Sequence, residues 1–246
     1  MSGTLLNALG VVVGSLIGLA LKKRIPQNLA DQVLKILGLA TGIIAITGII
    51  GAMFVVEANT WPLYASGFVT GRLSSTGGFL LLVSLVIGCV AGELLRIDDR
   101  LNSFSKRVEN RFGASGFARG FLAASLLFPV GVLAIIGPLY DGLSNDISIL
   151  VIKTGLDFTA AIILSSTLGI GVLFSIVPLV LFQGSITLLA GVIYPFVSAQ
   201  LLDLFSMVGY AIVLCIGINF VAGTSIKVAN LLPALAVPVV YYFVFM

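Results

Sequence analysis

The stretch that decides the fold opens the chain: GTLLNALGVVVGSLIGLALKKR, residues 3–24. Nineteen positions pass without a charge before Lys22, Lys23 and Arg24 close the run. A helix rises 1.5 Å per residue, so about 20 apolar residues cross the hydrocarbon core of a bilayer. Residues 3–21 are therefore expected to form a transmembrane helix with a basic boundary. No lysine or arginine precedes the run, which marks it as a first span and not as a cleaved leader.

Similar runs follow at 35–56, 78–97, 119–138, 149–168, 171–193, 204–222 and 229–246. The fifth and sixth are nearly continuous; Leu168-Gly169-Ile170-Gly171 is the place to turn, with Pro178 and Gln183-Gly184 as other breaks. Composition agrees, at 59% hydrophobic and 9% charged with a mean hydropathy of +1.19. A soluble domain carries about 25% charged residues, and this chain has too few polar groups to cover a globular surface. No linker-like stretch divides it. The predicted fold class is all-α: a polytopic membrane helical bundle of about eight spans, one integral membrane domain over residues 1–246.

Cytoplasmic loops are enriched in Lys and Arg, so the thirteen basic residues test the count. With eight spans, one set of loops holds Lys22, Lys23, Arg24, Lys35, Arg96, Arg100, Lys106, Arg107, Arg111, Arg119 and Lys227. The other set holds only Arg72, and Lys153 falls inside a span. This asymmetry predicts a bacterial inner (cytoplasmic) membrane protein with both termini outside. Two inner segments are amphipathic: Ile97, Leu101, Phe104, Val108 and Phe112 recur at helical steps among charges, as do Ile25, Leu29, Val33 and Leu37. Such helices lie at lipid headgroups or pack on the protein's own inner face. Trp61 and Tyr64 in the outer loop fit an aromatic belt.

A shift of 74 residues places Gly3, Gly14, Gly18, Leu21 and Asn28 on Gly77, Gly88, Gly92, Leu95 and Asn102. This suggests parallel repeat copies at 3–50 and 77–124, each with a GxxxG run that lets helix backbones approach closely. A fainter echo sets Gly184-Ser185 and Gly191 on Gly3-Thr4 and Gly10, running the opposite way.

Chemistry concentrates in the fifth span. Lys153 and Asp157 stand four apart on one helix face, within salt-bridge reach. Insertion scales put each such charge at about +2.5 to +3.5 kcal/mol at a span centre. The pair is expected to face the bundle interior as an ion or proton relay, or else to neutralise itself near the outer interface, where Lys153 can snorkel. Asp141 and Asp146, with Asn145, offer hard oxygen ligands in an outer turn, for a cation or for water alone. Pro129-Val130-Gly131 and Gly137-Pro138 in the fourth span, and Pro178, Gln183-Gly184-Ser185 and Pro195 in the sixth, suggest broken helices. Transporters aim the backbone groups freed by such breaks at solutes. Gln183, Ser185 and Thr187, with Ser165, Ser166 and Thr167, are polar groups in these runs. Asn7, Asn219 and Asn230 join them, with interhelical hydrogen bonding as the plainer role. Glu93 is expected to pair with Arg96.

Several classes are disfavoured. With no histidine and no HExxH or GxSxG motif, and Cys89 and Cys215 each inside an apolar run, no enzyme, cofactor or metal centre is expected. A serine–lysine dyad on Lys153 has no marked serine. The net charge of +3 is spread along membrane boundaries, so nucleic acid is not a partner.

Six stretches carry a family resemblance: Gly3-Thr4-Leu5-Leu6-Asn7-Ala8, GELLRIDDRL (92–101), AASLLF (123–128), STLGIGVLFS (166–175), QGSITLLAG (183–191) and IKVANLLPAL (226–235). Together they resemble the YdfK/YqgA-like bacterial membrane proteins, a domain of unknown function (554), along essentially the whole chain. The resemblance implies an integral inner-membrane protein and an effect on biofilm formation attributed to a member. It transfers no catalytic or binding residue. Segment 57–77 departs from the pattern by being longer and more polar.

The functional expectation is a secondary transporter or permease of a small polar or charged solute, ion- or proton-coupled, with Lys153, Asp157, Asp141, Asp146, Gln183, Ser185, Asn7 and Asn219 along its pathway. The alternatives are a passive channel and a non-transporting scaffold or regulator affecting biofilm formation. Expected partners are the lipid bilayer, a small solute or ion, and a second copy of the chain through the GxxxG faces.

Overall fold

A computed structural model describes residues 1–22, 26–56, 71–112, 117–129 and 133–245. Its helices are α1 (Ser2–Lys22), α2 (Gln27–Met53), α3 (Ser75–Leu94), α4 (Ile97–Phe112), α5 (Phe117–Leu127), α6 (Leu133–Ser144) and α7 (Ser148–Leu168). There follow α8 (Gly171–Phe174), α9 (Ile176–Leu188), α10 (Ala190–Ile193), α11 (Ala199–Ala222) and α12 (Ala236–Phe245). Short 3-10 helices cover Tyr194–Phe196 and Val228–Leu235. Among the described residues, seven helical stretches are long and apolar enough to cross a membrane, which places the protein in the polytopic all-α class. In the fourth apolar run, α5 and α6, of 11 and 12 residues, are each too short to cross alone.

Three long-range pairings build the bundle, each made where glycine lets backbones meet. α1 runs parallel to α7: a Cβ at Gly3 would stand 2.6 Å from Leu150, at Gly10 2.6 Å from Thr154 and at Gly14 2.5 Å from the Phe158 carbonyl. At Gly18 it would run into the Ile162 carbonyl. α2 is antiparallel to α11, with Gly38 against Gly217 and Phe220 and Gly48 against Tyr210. α3 is antiparallel to the 3-10 helix Val228–Leu235, with Gly88 against Ala234 and Gly92 against Asn230. Both GxxxG runs are thus filled inside the chain, and a homo-oligomer through them would have to displace an internal helix. The direction of these pairs gives alternating crossings, so Lys22, Leu94, Phe117, Leu168, Ala222 and Lys227 gather at one end, the basic end.

Several sequence expectations are corrected. Residues 27–37 form no separate interfacial helix but the first turns of α2, whose 27 residues give it a length of about 40 Å. That exceeds the roughly 30 Å hydrocarbon core, so one continuous helix is long enough to cross and still carry Asp31 and Lys35 in its first turns. α4 is the separate amphipathic helix expected; Phe104 touches Phe121 of α5 (ring centroids 6.3 Å apart) while about half of it stays exposed. The turn before α4 holds Arg96 at φ 50°. The fifth span ends where expected, at Gly169 with φ 89°. The sixth breaks at Ser175 and Leu189, not at Gln183-Gly184-Ser185, which lies inside α9. Pro178 sits in the first turn of α9, where no intrahelical N–H bond is lost. An unpredicted two-stranded ladder, β1 (Phe54–Val56) with antiparallel β2 (Gly71–Leu73), follows α2. Trp61, Tyr64 and Val130-Gly131 lie outside the described residues. Along the expected repeat copies 3–50 and 77–124 the helices differ in layout: α2 follows α1, whereas α4 and the short α5 follow α3.

Candidate functional site

The fourth crossing explains the site. Pro129 has no N–H to give and biases Phe128 away from helix, so α5 stops at Leu127 and leaves end carbonyls without intrahelical partners. Lys153, one turn into α7, supplies a donor. Its Nζ donates to the Phe128 carbonyl at 2.8 Å and to the Asp157 carboxylate at 2.5 Å. An ammonium at the C-terminal end of a half-helix also meets the negative end of its dipole. Asn7 of α1 completes the cluster: its Nδ2 donates to Asp157 at 2.9 Å and to the Gln183 Oε1 of α9 at 3.2 Å. Four elements therefore converge on one charge pair. Lys153 is 4% exposed and Asp157 7%, while Asn7 and Gln183 are fully enclosed.

Two atoms in this cluster stand out. Asn7 Oδ1 and Gln183 Nε2 have no hydrogen-bond partner, one an acceptor and the other a donor. A buried polar atom left unmade costs about 1–3 kcal/mol, so this pair of groups is suited to a water or a solute with complementary atoms. Further along the α1/α7 seam the Ser15 and Ser165 hydroxyls are likewise enclosed and without partners.

The remaining sequence candidates divide. Asp141 is buried, but as a cap: its carboxylate accepts from the Gly3 and Thr4 amides at 3.1 and 3.3 Å and pairs with the Met1 amine at 2.9 Å. Capping the α1 N-terminus holds Asn7 in register one turn below. Asp146 is exposed and accepts from the Ser148 amide at 2.9 Å; hydrogen bonds from the Ser148 hydroxyl and amide hold its carboxyl below the usual range. Asp141 and Asp146 therefore do not converge on a cation, and no metal-competent acidic cluster occurs among the described residues. Ser185 faces outward and donates to the Phe182 carbonyl of its own helix. Asn219 sits at the basic end, where it bonds Ile226 through backbone N–H and carbonyl and accepts from Thr224, folding the loop after α11. Asp146, Ser185 and Asn219 are thus removed from the Lys153–Asp157 cluster.

Sequence reasoning missed Thr4, which shares a 3.1 Å hydrogen bond with Thr187 just above Gln183. Its spacing from Asn7 was the available signal, since residues three apart share a helix face. Glu93 pairs not with Arg96 but with Lys227 at 2.8 Å, and accepts from Asn230 Nδ2 at 2.6 Å. The Glu93 carboxylate holds the Lys227 ammonium above the ordinary lysine value. Asn230 in turn accepts from the Asp98 amide at 2.8 Å, tying α3, α4 and the 3-10 helix together.

The chain is similar over 244 residues to the uncharacterized membrane protein YdfK of Bacillus subtilis (strain 168), at 30% identity over 99% of this chain and 96% of the relative. It is 27% identical over 240 residues to the uncharacterized protein YqgA of Escherichia coli (strain K12), covering 95% and 92% of the two chains. No solved structure matches it. The family model described as protein of unknown function (DUF554) matches residues 2–243, and the chain belongs to that family.

Proposed function

We propose that the protein is a secondary transporter of a small polar or charged solute, coupled to a proton or cation through Asp157. One observation carries the reading: an ion pair enclosed among four membrane helices, seated on the free carbonyl end of a broken crossing, beside an unpaired acceptor and donor. Ionisable groups inside a membrane are costly and mark solute or proton paths. Broken helices aim their ends at such groups. In the resting state Lys153 fills the place of a cation between Asp157 and Phe128. Movement of its ammonium frees both oxygens, and protonation of Asp157 removes the charge that holds the ammonium there, which links solute binding to charge.

Flux in vesicles carrying the purified chain tests this directly. A transporter gives saturable uptake driven by an imposed proton or cation gradient, with counterflow of preloaded solute. Flux that follows the gradient without saturation would support the channel reading, and none across amino acids, polyamines and inorganic ions the scaffold reading. The buried pair beside an unpaired acceptor and donor is what supports transport over a scaffold.

The basic end is proposed to face the cytoplasm of a bacterial inner membrane, leaving the Ser144–Ser148 turn outside. In a background lacking Cys89 and Cys215, a cysteine at Asn145 is expected to react with an impermeant maleimide on intact cells. One at Arg100 is expected to react only after the membrane is opened. The reverse pattern would overturn the orientation.

A further inference from the structure

At the basic end, α5 and α11 diverge and leave a cleft lined also by the 3-10 helix Val228–Leu235. Its mouth is a cavity of about 450 Å³ bordered by Asp98, Arg119, Asn219, Phe220 and Lys227. A second, more enclosed cavity of about 300 Å³ adjoins it, sharing Leu122 and Leu126, and is walled by α5, α11 and the 3-10 helix with Leu101 of α4 and Pro178 and Phe182 of α9, as far as Pro129. Along α5 this runs from Ala118 to Pro129, roughly 16 Å at a helical rise. The deep end therefore lies beside Phe128, whose carbonyl holds Lys153.

Charge and polarity are segregated along this cleft. At the mouth, Lys227 is neutralised by Glu93. Arg119 lies over the Phe220 ring, 5.5 Å from its centroid, and has no carboxylate within ion-pair distance among the described residues. Asp98 has no cation within ion-pair distance among the described residues, only the Asn102 amide at 2.7 Å; burial pushes its carboxyl above the ordinary value, offset in part by the more distant Lys227 ammonium that Glu93 already pairs. One guanidinium and one carboxylate thus stand unpaired on the same rim. The deep cavity is walled by leucine, phenylalanine, proline and isoleucine side chains, relieved by Ser125 and Ser206, whose hydroxyls are enclosed without partners.

We infer that this cleft binds a zwitterionic amphiphile: an anionic group on Arg119, an ammonium on Asp98, and an apolar tail between α5 and α11. A purely anionic head would meet Asp98, and a purely cationic one Arg119. A fully polar solute would leave the deep wall against water, while a plain hydrocarbon would leave both rim charges unmet. The chemistry is shared by a phosphoethanolamine lipid and by a free amino acid with a large apolar side chain. The inference names a solute class for the transport reading and rests on it for direction, yet binding can be measured without any gradient. Failure of binding therefore leaves the vesicle test standing, and the converse holds too.

The test uses the 246-residue chain in amphipol and labelled 1-lauroyl-lysophosphatidylethanolamine. Saturable binding of one molecule per chain is expected, weakened about tenfold or more by Arg119→Gln and by Asp98→Asn. Ser125→Phe and Ser206→Phe, which fill the deep cavity from opposite walls, should each abolish it. Unchanged helicity and melting in at least one of these two separates loss of the cleft from loss of the fold. Competition by L-phenylalanine identifies a free amino-acid-like solute; its absence assigns the lipid, and either supports the shared chemistry. Equal affinity for lysophosphatidylglycerol, or binding indifferent to all four substitutions, overturns the proposal.

Discussion

Asp157→Asn is expected to abolish gradient-driven uptake in reconstituted vesicles, lowering the initial rate about a hundredfold or more, some 2.7 kcal/mol in barrier. The side chain keeps its size and can still accept from Lys153 and Asn7, so the helix seam between α1 and α7 should persist. What disappears is the ionisable group. An amide cannot take up and release a proton, and it leaves the Lys153 ammonium without a counter-charge in a site only 4% exposed. Asp157→Glu should retain measurable uptake with an altered pH profile. Ser185→Ala, outside the cluster, should leave uptake unchanged. Native rates in Asp157→Asn would remove this residue from the mechanism.

The second large effect concerns stability. Lys153→Met strips the counter-ion from a carboxylate enclosed by α1, α7 and α9, and removes the donor to the Phe128 carbonyl. Breaking a buried pair from one side costs about 3–5 kcal/mol. Adding Asp157→Leu replaces both charges with apolar groups of similar bulk, and such replacement is often neutral or stabilising. The double variant is therefore expected to recover most of the loss, less about 1 kcal/mol for the Asn7 donor left with Gln183 alone. A double-mutant cycle in a mixed-micelle unfolding assay reads the coupling directly. If Lys153→Met unfolds at the native denaturant concentration, the pair contributes nothing and Asp157 is carried neutral. Recovery of the fold without recovery of uptake would separate the architectural role of the pair from its role in coupling.

Much of this site was legible because lipid forbids isolated polar groups. Lys153, Asp157, Gln183 and Asn7 had to find one another or face water, and they did. The face of a helix was less legible. Gln183 and Ser185 are two residues apart, about 200° around the axis, so the inward turn of one sends the other outward, and nothing local said which. Thr187, four residues from Gln183, follows it inward. Asp141 was read as a ligand in a turn, but it stands in the last turn of α6, where its carboxylate caps another helix. Its partner, the α1 N-terminus, lies over 130 residues away. Seven of the eight apolar runs coincide with helical stretches long and apolar enough to cross among the described residues, yet hydropathy cannot separate a continuous span from two half-helices. Of the two break signals in the fourth run, Pro129 follows the end of α5, whereas Gly137-Pro138 lies inside α6. The β1–β2 ladder, three residues a strand, is too short for alternation to register.

The pairing of α1 with α7, α2 with α11 and α3 with the 3-10 helix has a consequence for how the protein is made. Each joins an early helix to a late one. Asn7 waits for Asp157 and Gln183, 150 and 176 residues downstream, which at ribosomal speed is on the order of ten seconds or more. Throughout that interval the glycine faces of α1, α2 and α3 lack the partners that cover them in the finished chain. A nascent chain arrested after α6 would hold none of these three seams. Biogenesis thus depends on whatever shields those faces, and α1 and α3, each carrying GxxxG, are the pair most exposed to premature association.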